Sequence, residues 1–291
     1  MDNIKNYIAL IRYHQYVKNL FIFLPLFFVG QFSNLDLLLN DIIAFVAFSF
    51  AASSVYILND FLDIEEDKKH PRKKLRPLAS GLISKRSAFL IMGLMFFTAI
   101  IIIGMLSLKA CFVLLAYVIL NLGYCFYLKH IPIVDISIIA TGFILRLFIG
   151  SIVTDVPLSN WIVIMTFLLA LFLALAKRRD DVLLFMKTGT KMRKVIDGYN
   201  IQFIDNSMTI MASVIIVSYI LYTTSVKVME RVQSEYLYLT SLFVLLGVLR
   251  YLQISIVENN SGSPTKIMLK DKFIVLTLLG WALSFVFIIY F

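Results

Sequence analysis

A run of acids followed by bases, from Asn59 to Gly81, holds the residues best suited to chemistry. If the helix before it continues, Asn59, Asp63 and Asp67 lie at positions i, i+4 and i+8 and share one helix face, with Asp60 beside them. Carboxylates at the C-terminal end of a helix are disfavoured by the helix dipole, and they repel one another by roughly a few tenths of a kcal/mol per pair. A bound cation would relieve this repulsion, and Mg²⁺ commonly takes one or two carboxylates plus substrate phosphates. The sequence therefore predicts a Mg²⁺ site at these four residues.

A second charged cluster ends a later apolar run and consists of Lys177, Arg178, Arg179, Asp180 and Asp181. The tendency of Lys and Arg to collect on the cytoplasmic side of membrane proteins is one explanation of its bases. A substrate-binding role, opposite the first cluster, is the other. The same tendency does not explain the acids of the first cluster.

Three smaller polar groups flank the apolar runs, and each has a structural and a functional interpretation. They either anchor the chain at lipid headgroups or contact an anionic substrate. The groups are Arg12, Tyr13, Gln15, Lys18 and Asn19; Arg76, Pro77, Ser80 and Gly81; and Tyr124, Tyr127 and Lys129.

Two charged residues lie inside a single apolar run. Asp135 needs a partner there, and Arg146 follows eleven residues later. A charge at that depth usually faces the interior of a helix bundle and marks a functional site. We therefore favour a functional role for Arg146 over a purely structural ion pair.

The composition is that of an integral membrane protein, since 60% of the 291 residues are hydrophobic and 15% are charged. Both Cys lie in one apolar segment, which suggests neither a disulfide framework nor a Cys-type metal site. The three His, including His70, lack the spacing of a zinc helix and are expected at the membrane interface. The net charge of +9 first reports membrane topology, and we expect no nucleic-acid partner.

Nine apolar runs approach the length of about 20 residues that spans a bilayer. The first is short and contains Pro25, so it crosses only if Tyr13 to Asn19 joins it. The runs lie near residues 20–32, 41–60, 87–107, 110–128, 132–153, 161–178, 207–228, 236–255 and 273–291. We predict an all-α, polytopic bundle of about nine helices around a central cavity, forming a single domain over 1–291.

The basic residues predict the orientation of this bundle. With the N-terminus in the cytoplasm, all of the 27 Lys and Arg lie on the cytoplasmic side except Lys109, Arg146, Lys227 and Arg231. Long cytoplasmic loops, at about 61–86 and 179–206, then follow the second and sixth spans. We interpret these equivalent positions as a weak internal repeat of four-helix units. The protein is expected in the cell membrane, with its active site facing the cytoplasm.

Together the two clusters suit a site that holds a diphosphate. Metal and bases would stabilise the negative charge that develops on a departing diphosphate. No Ser-His-Asp or Cys-His set is evident. From its residues alone, the chain is therefore predicted to be a Mg²⁺-dependent membrane transferase with a diphosphate leaving group.

The run Asn-Asp-Phe-Leu-Asp-Ile-Glu-Glu-Asp at 59–67 resembles the NDxxDxxxD signature of the UbiA superfamily of intramembrane prenyltransferases, and the likeness covers nearly the whole chain. Within it, several stretches look more like the decaprenyl-phosphate phosphoribosyltransferase branch than the aromatic prenyltransferases. They are residues 15–19, 75–81, 142–146 and 177–181. In that branch the second motif reads Lys-Arg, an aromatic, a small residue and Glu, whereas Arg179, Asp180 and Asp181 hold the last three positions here. The resemblance therefore leaves open which of Asp180 and Asp181 is functional.

The resemblance implies transfer of a 5-phosphoribosyl group from phosphoribosyl diphosphate to a polyprenyl phosphate. The four residues of the first motif would hold Mg²⁺ and the donor's diphosphate, with Asp60, Asp63, Asp67 and Arg146 as the catalytic set. The expected substrate-binding residues are Lys18, Asn59, Arg76, Tyr127, Lys129, Lys177, Arg178, Asp180 and Asp181.

Two other functions compete with this one. An aromatic prenyltransferase would use the same acids but transfer the prenyl chain to a ring such as a hydroxybenzoate. A transporter or lipid-binding scaffold is less favoured, because transporters place their coupling sites near the bilayer midplane and these acids lie at a predicted helix end. The sequence leaves the oligomeric state open, a homo-oligomer included.

Overall fold

A computed structural model describes residues 2–69, 73–189 and 194–290. His70, predicted to lie at the membrane interface, is outside these ranges. The described residues form α-helices, with 3₁₀ helices between some of them, and contain no strand. The α-helices are α1 (Asp2–Ile11), α2 (Leu24–Phe28), α3 (Leu35–Leu62), α4 (Ile64–Lys69), α5 (Lys85–Leu106), α6 (Leu108–Phe126), α7 (Val134–Thr154), α8 (Asn160–Thr188), α9 (Ile201–Thr223), α10 (Val226–Val232), α11 (Ser241–Ile256), α12 (Pro264–Lys270) and α13 (Lys272–Tyr290).

Eight helical segments of the described chain are long and apolar enough to cross a membrane. They correspond to the second to ninth predicted spans. The first predicted span differs, because Tyr13–Phe23 is a 3₁₀ helix and only Leu24–Phe28 is α-helical.

Polar caps begin most of the long helices. Asn34 accepts hydrogen bonds from the backbone N–H groups of Asp36 (3.2 Å) and Leu37 (3.4 Å) at the start of α3. Asn200 caps α9 through the N–H of Phe203 at 2.7 Å. These bonds satisfy N–H groups that a helix leaves without a partner at its N-terminus.

The chain divides into two compact units, the first of which comprises Met1–Lys129 and Thr141–Leu158. Small residues on α3, including Ala44, Ala47 and Ala51, are fully buried and belong to the core that α3 shares with α5 and α6. Such residues let helix backbones approach closely. α7 also packs closely against the 3₁₀ helix Tyr13–Phe23, since Gly150 lies directly against the carbonyl of Ile22.

The second unit comprises His130–Ala140 and Ser159–Phe291. Its core lies along α8, α9 and α11, where Phe172 packs its ring 5.3 Å from that of Tyr251. The predicted single domain remains a prediction, as do the central cavity and the internal repeat.

Two helix ends differ from the predicted loops. α3 ends at Leu62 and the chain turns at Asp63 before α4 begins, so the first acidic motif spans two helices. α8 continues to Thr188, ten residues beyond the predicted span, and ends at Gly189 in the left-handed conformation (φ 66°). The second cluster therefore lies within a helix, and the predicted loop at 179–206 overlaps the last turns of α8 and the first turns of α9.

Candidate active site

Backbone hydrogen bonds of the helical type continue through the first motif, residues 59–67. The N–H of Asp63 donates to the carbonyl of Asn59 at 3.0 Å, and the N–H of Asp67 donates to that of Asp63 at 2.8 Å. Asn59 and Asp60 lie in the last turn of α3, and Asp67 lies in α4. The junction therefore holds all four predicted residues within about two and a half helical turns.

Asp60 and Asp67 converge on one nitrogen of Arg76. Nη1 of Arg76 lies 2.9 Å from Oδ1 of Asp60 and 2.6 Å from Oδ2 of Asp67. The two acids are seven residues apart, which is close to two helical turns, and they are only 2% and 1% exposed. Arg12 bonds to both oxygens of Asp60, and Nζ of Lys73 lies 3.8 Å from Asp67.

Asp63 faces different partners. Nζ of Lys129 lies 2.6 Å from Oδ1 of Asp63, and the amide of Asn59 donates to Oδ2 at 2.9 Å. The thiol of Cys125 lies 3.5 Å from the carbonyl oxygen of the Asn59 side chain. Within the predicted face, Asn59 thus contacts Asp63, while Asp67 shares the Arg76 nitrogen with Asp60, which was predicted to lie beside the other three.

The protein's own bases compensate the acids at this helix end. Arg12, Lys73 and Arg76 surround Asp60 and Asp67, while Lys129 pairs with Asp63. Nearby cations are needed because the helix dipole disfavours Asp60 in the last turn of α3 and because both carboxylates are buried.

The acidic pair fits a divalent metal in donor type and direction. Across the described ranges, no group of three or more His, Cys, Asp or Glu side chains is placed to hold a metal ion. Asp60 and Asp67 nevertheless direct one oxygen each at a shared cation, the Arg76 nitrogen. Two carboxylates completed by phosphate oxygens are a usual Mg²⁺ ligand set, so Asp60 and Asp67 are the strongest candidate metal ligands, and the metal roles predicted for Asn59 and Asp63 remain predictions.

Arg146 lies in a buried polar and aromatic environment. Its Nε donates to Oδ1 of Asn19 at 2.8 Å, and its Nη1 donates to the carbonyl of Gly142 at 2.6 Å. The guanidinium lies 4.6 Å from the ring centre of Phe48 and 5.1 Å from that of Tyr117, which favours cation–π contact. Arg146 is 4% exposed, so this base is held rigidly within the first unit.

The remaining predicted residues of the first unit differ in exposure. Lys18 precedes Asn19 in the 3₁₀ helix and is half-buried. Tyr127 directly follows α6 and is 66% exposed, so the structure gives it no enclosed environment.

In the second unit, Asp135 pairs with Arg178. Its carboxylate lies 2.8 Å from Nε of Arg178 and accepts a hydrogen bond of 2.7 Å from the hydroxyl of Tyr199. Arg178 also bonds to Asp181. Burial and the Asp135 carboxylate raise the pKa of Tyr199. Arg178, predicted to bind substrate, is therefore enclosed by acids of its own unit.

The other residues of the second cluster point in different directions. Arg179 donates to Asp205 at 2.6 Å and to Asn259 at 2.8 Å. The Asp180 carboxylate lies against the backbone of Gly262. Lys177 is exposed.

Sequence reasoning left several residues out of the predicted site. The sequence suggests either a lipid-headgroup or an anionic-substrate contact for Arg12 but does not predict its pairing with Asp60, and it assigns neither Lys73 nor Cys125 to the site. Arg12 has φ 53°, a conformation that non-glycine residues rarely adopt. No pattern in the sequence signals that turn, which aims the guanidinium at α3.

The model of the UbiA prenyltransferase family matches residues 19–277. The chain belongs to this family. It is 31% identical over 284 residues to the decaprenyl-phosphate phosphoribosyltransferase of Mycolicibacterium smegmatis, covering 94% of this chain and 89% of the relative. It is 30% identical to the enzyme of the same name from Corynebacterium glutamicum, with 97% and 86% covered.

Solved UbiA structures share the fold. A UbiA homologue from Archaeoglobus fulgidus, solved with DMAPP and Mg²⁺, superposes with a TM-score of 0.71 at 18% identity, covering 97% of this chain and 99% of that one. The predicted UbiA-type, all-α membrane bundle is confirmed, and the chain is a multi-pass membrane transferase of the UbiA family.

Proposed function

We propose that this UbiA-family protein transfers a 5-phosphoribosyl group from phosphoribosyl diphosphate to a polyprenyl phosphate and releases diphosphate. The observation that best supports this proposal is that Asp60 and Asp67 both contact the Arg76 guanidinium, with Arg12 and Lys73 beside them. A site with more bases than acids suits two anionic substrates. The relatives named decaprenyl-phosphate phosphoribosyltransferase support this choice of donor and acceptor.

Asp60 and Asp67 would hold Mg²⁺, which when bound would neutralise negative charge on the departing diphosphate. Arg12, Lys73 and Arg76 bind oxygens of the same diphosphate. Asn59 and Lys129 orient Asp63 at the edge of this group. Lys18, Tyr127, Arg146, Lys177, Arg178, Asp180 and Asp181 remain proposed substrate or catalytic residues.

The reaction requires no strong general base. The bond between C1 of the ribose and the diphosphate oxygen breaks, and its electron pair leaves with the diphosphate. A phosphate oxygen of the acceptor, already ionised near neutral pH, forms the new bond to C1. The polyprenyl tail stays in the bilayer, and the distribution of Lys and Arg supports a cytoplasmic position for the acids.

A donor comparison tests this function. Membranes containing the protein are incubated with Mg²⁺, polyprenyl phosphate and hydroxybenzoate, together with either labelled phosphoribosyl diphosphate or a labelled prenyl diphosphate. We expect ribosyl label to enter the polyprenyl phosphate fraction, and chelation of Mg²⁺ to stop it. Label that passes instead from the prenyl donor to the aromatic ring would make the protein an aromatic prenyltransferase.

A further inference from the structure

The Arg76 guanidinium occupies the position where the acidic pair would receive a metal. Its single Nη1 atom contacts the Asp60 oxygen at 2.9 Å and the Asp67 oxygen at 2.6 Å, and both carboxylates are buried. A metal ion coordinated by those two oxygens and the guanidinium nitrogen exclude each other. Metal binding therefore requires the Arg76 side chain to leave.

The surrounding charges make that departure unfavourable for the metal alone. Two carboxylates, Asp60 and Asp67, lie among three bases, Arg12, Lys73 and Arg76, so this group already carries a net charge of +1. Free Mg²⁺ adds positive charge to a group that is already positive, and it removes the displaced guanidinium from its two carboxylate partners. A diphosphate that arrives with the metal reverses the balance, because its oxygens accept the fork of N–H groups that a guanidinium presents.

We propose, on the basis of the function proposed above, that Arg76 makes the acidic pair selective for Mg²⁺ accompanied by a diphosphate group. Without ligand, the Arg76 guanidinium pairs with Asp60 and Asp67 and so prevents the free ion from binding to them. With both ligands, its side chain moves from the carboxylates to the diphosphate. Each ligand then raises the affinity for the other by the same factor, as reciprocal coupling requires.

Metal binding without turnover tests this role. The full chain in lipid nanodiscs is titrated with Mg²⁺ alone and with Mg²⁺ plus inorganic diphosphate, and apparent affinities are taken from the shift in unfolding midpoint. For the wild type we expect binding about tenfold tighter with diphosphate than with Mg²⁺ alone, the size of one charged hydrogen bond. Arg76→Gln should bind Mg²⁺ alone about tenfold more tightly than the wild type and gain less from diphosphate.

Arg86→Gln is the matched control, since Arg86 is an exposed base of α5 outside this group. It should leave both affinities unchanged. If Arg76→Gln does not fold, Arg76→Lys takes its place, because an ammonium lacks the fork and the gain from diphosphate must fall. The proposal is overturned if the wild type binds Mg²⁺ equally well with and without diphosphate, or if Arg76→Gln binds Mg²⁺ alone no more tightly than the wild type. Either result would leave the proposed function intact, because ribosyl transfer by the wild type is measured separately in the donor assay.

Discussion

Arg178 and Asp135 form an ion pair of 2.8 Å in which the two side chains are only 1% and 0% exposed. Removing both charges from water costs several kcal/mol per ion, and only close pairing with further hydrogen bonds offsets this cost. Asp181 and Tyr199 supply those additional partners. The pair thus joins α7, α8 and the segment before α9, and it keeps Arg178 from moving freely to a substrate.

Asp135→Asn should destabilise the protein by about 3–5 kcal/mol, because it leaves Arg178 buried without its main counter-charge. Denaturant unfolding in detergent measures this loss. Glu65→Gln is the control, since it removes an acid whose side chain is 79% exposed, and should change stability by no more than about 0.5 kcal/mol. If the two substitutions lowered the unfolding free energy equally, burial of the Asp135–Arg178 pair would not determine how much it contributes to stability.

Gly150→Ala tests the packing of α7 against the 3₁₀ helix. A Cβ at residue 150 would lie 1.9 Å from the backbone oxygen of Ile22, and a backbone atom yields less easily than a side chain. We expect a loss of at least about 1–3 kcal/mol in unfolding free energy. Gly93→Ala, where nothing lies within 4 Å, should instead gain about 0.5–1 kcal/mol from helix propensity. A neutral Gly150→Ala variant would contradict the contact.

Composition and one motif predicted much of this structure. Apolar runs of bilayer length predicted eight of the long helices, since membrane spans must satisfy their backbone hydrogen bonds internally. The spacing of Asn59 and Asp63 predicted their contact correctly. These are local properties of a helix, which the order of residues determines directly.

The remaining features depend on contacts between distant residues. Asp135 was expected to need a partner, and this is confirmed, but the sequence did not identify that partner as Arg178, 43 residues away. Arg146 instead reaches Asn19, 127 residues away in the chain. The pairing of Asp60 with Arg12 depends on the left-handed backbone conformation of Arg12, which no sequence motif indicates. Periodicity along one helix contains no information on such pairings.

The pairing of Asp271 with Arg250 should make the stability of the folded protein decrease at acid pH. Hydrogen bonding from Arg250, including 2.8 Å from Nη2, lowers the pKa of Asp271 below its usual value. Because the folded-state pKa is the lower one, the stabilisation is complete above the unfolded value of about 4 and is lost as pH falls through the folded value. The stability difference between the wild type and Asp271→Asn should therefore shrink between pH 6 and pH 2. A constant difference across this range would exclude the linkage.

Asp67→Asn tests the proposed metal ligand most directly. The amide keeps the size of the side chain but weakens binding of a divalent ion, so ribosyl transfer should fall by at least about a hundredfold. Glu66→Gln, one residue away and exposed, should retain activity. Asp67→Asn also leaves Arg76 paired with Asp60, so the protein should remain folded by thermal unfolding in detergent. If a folded Asp67→Asn variant keeps the full rate, or if both variants lose activity alike, Asp67 does not hold the metal.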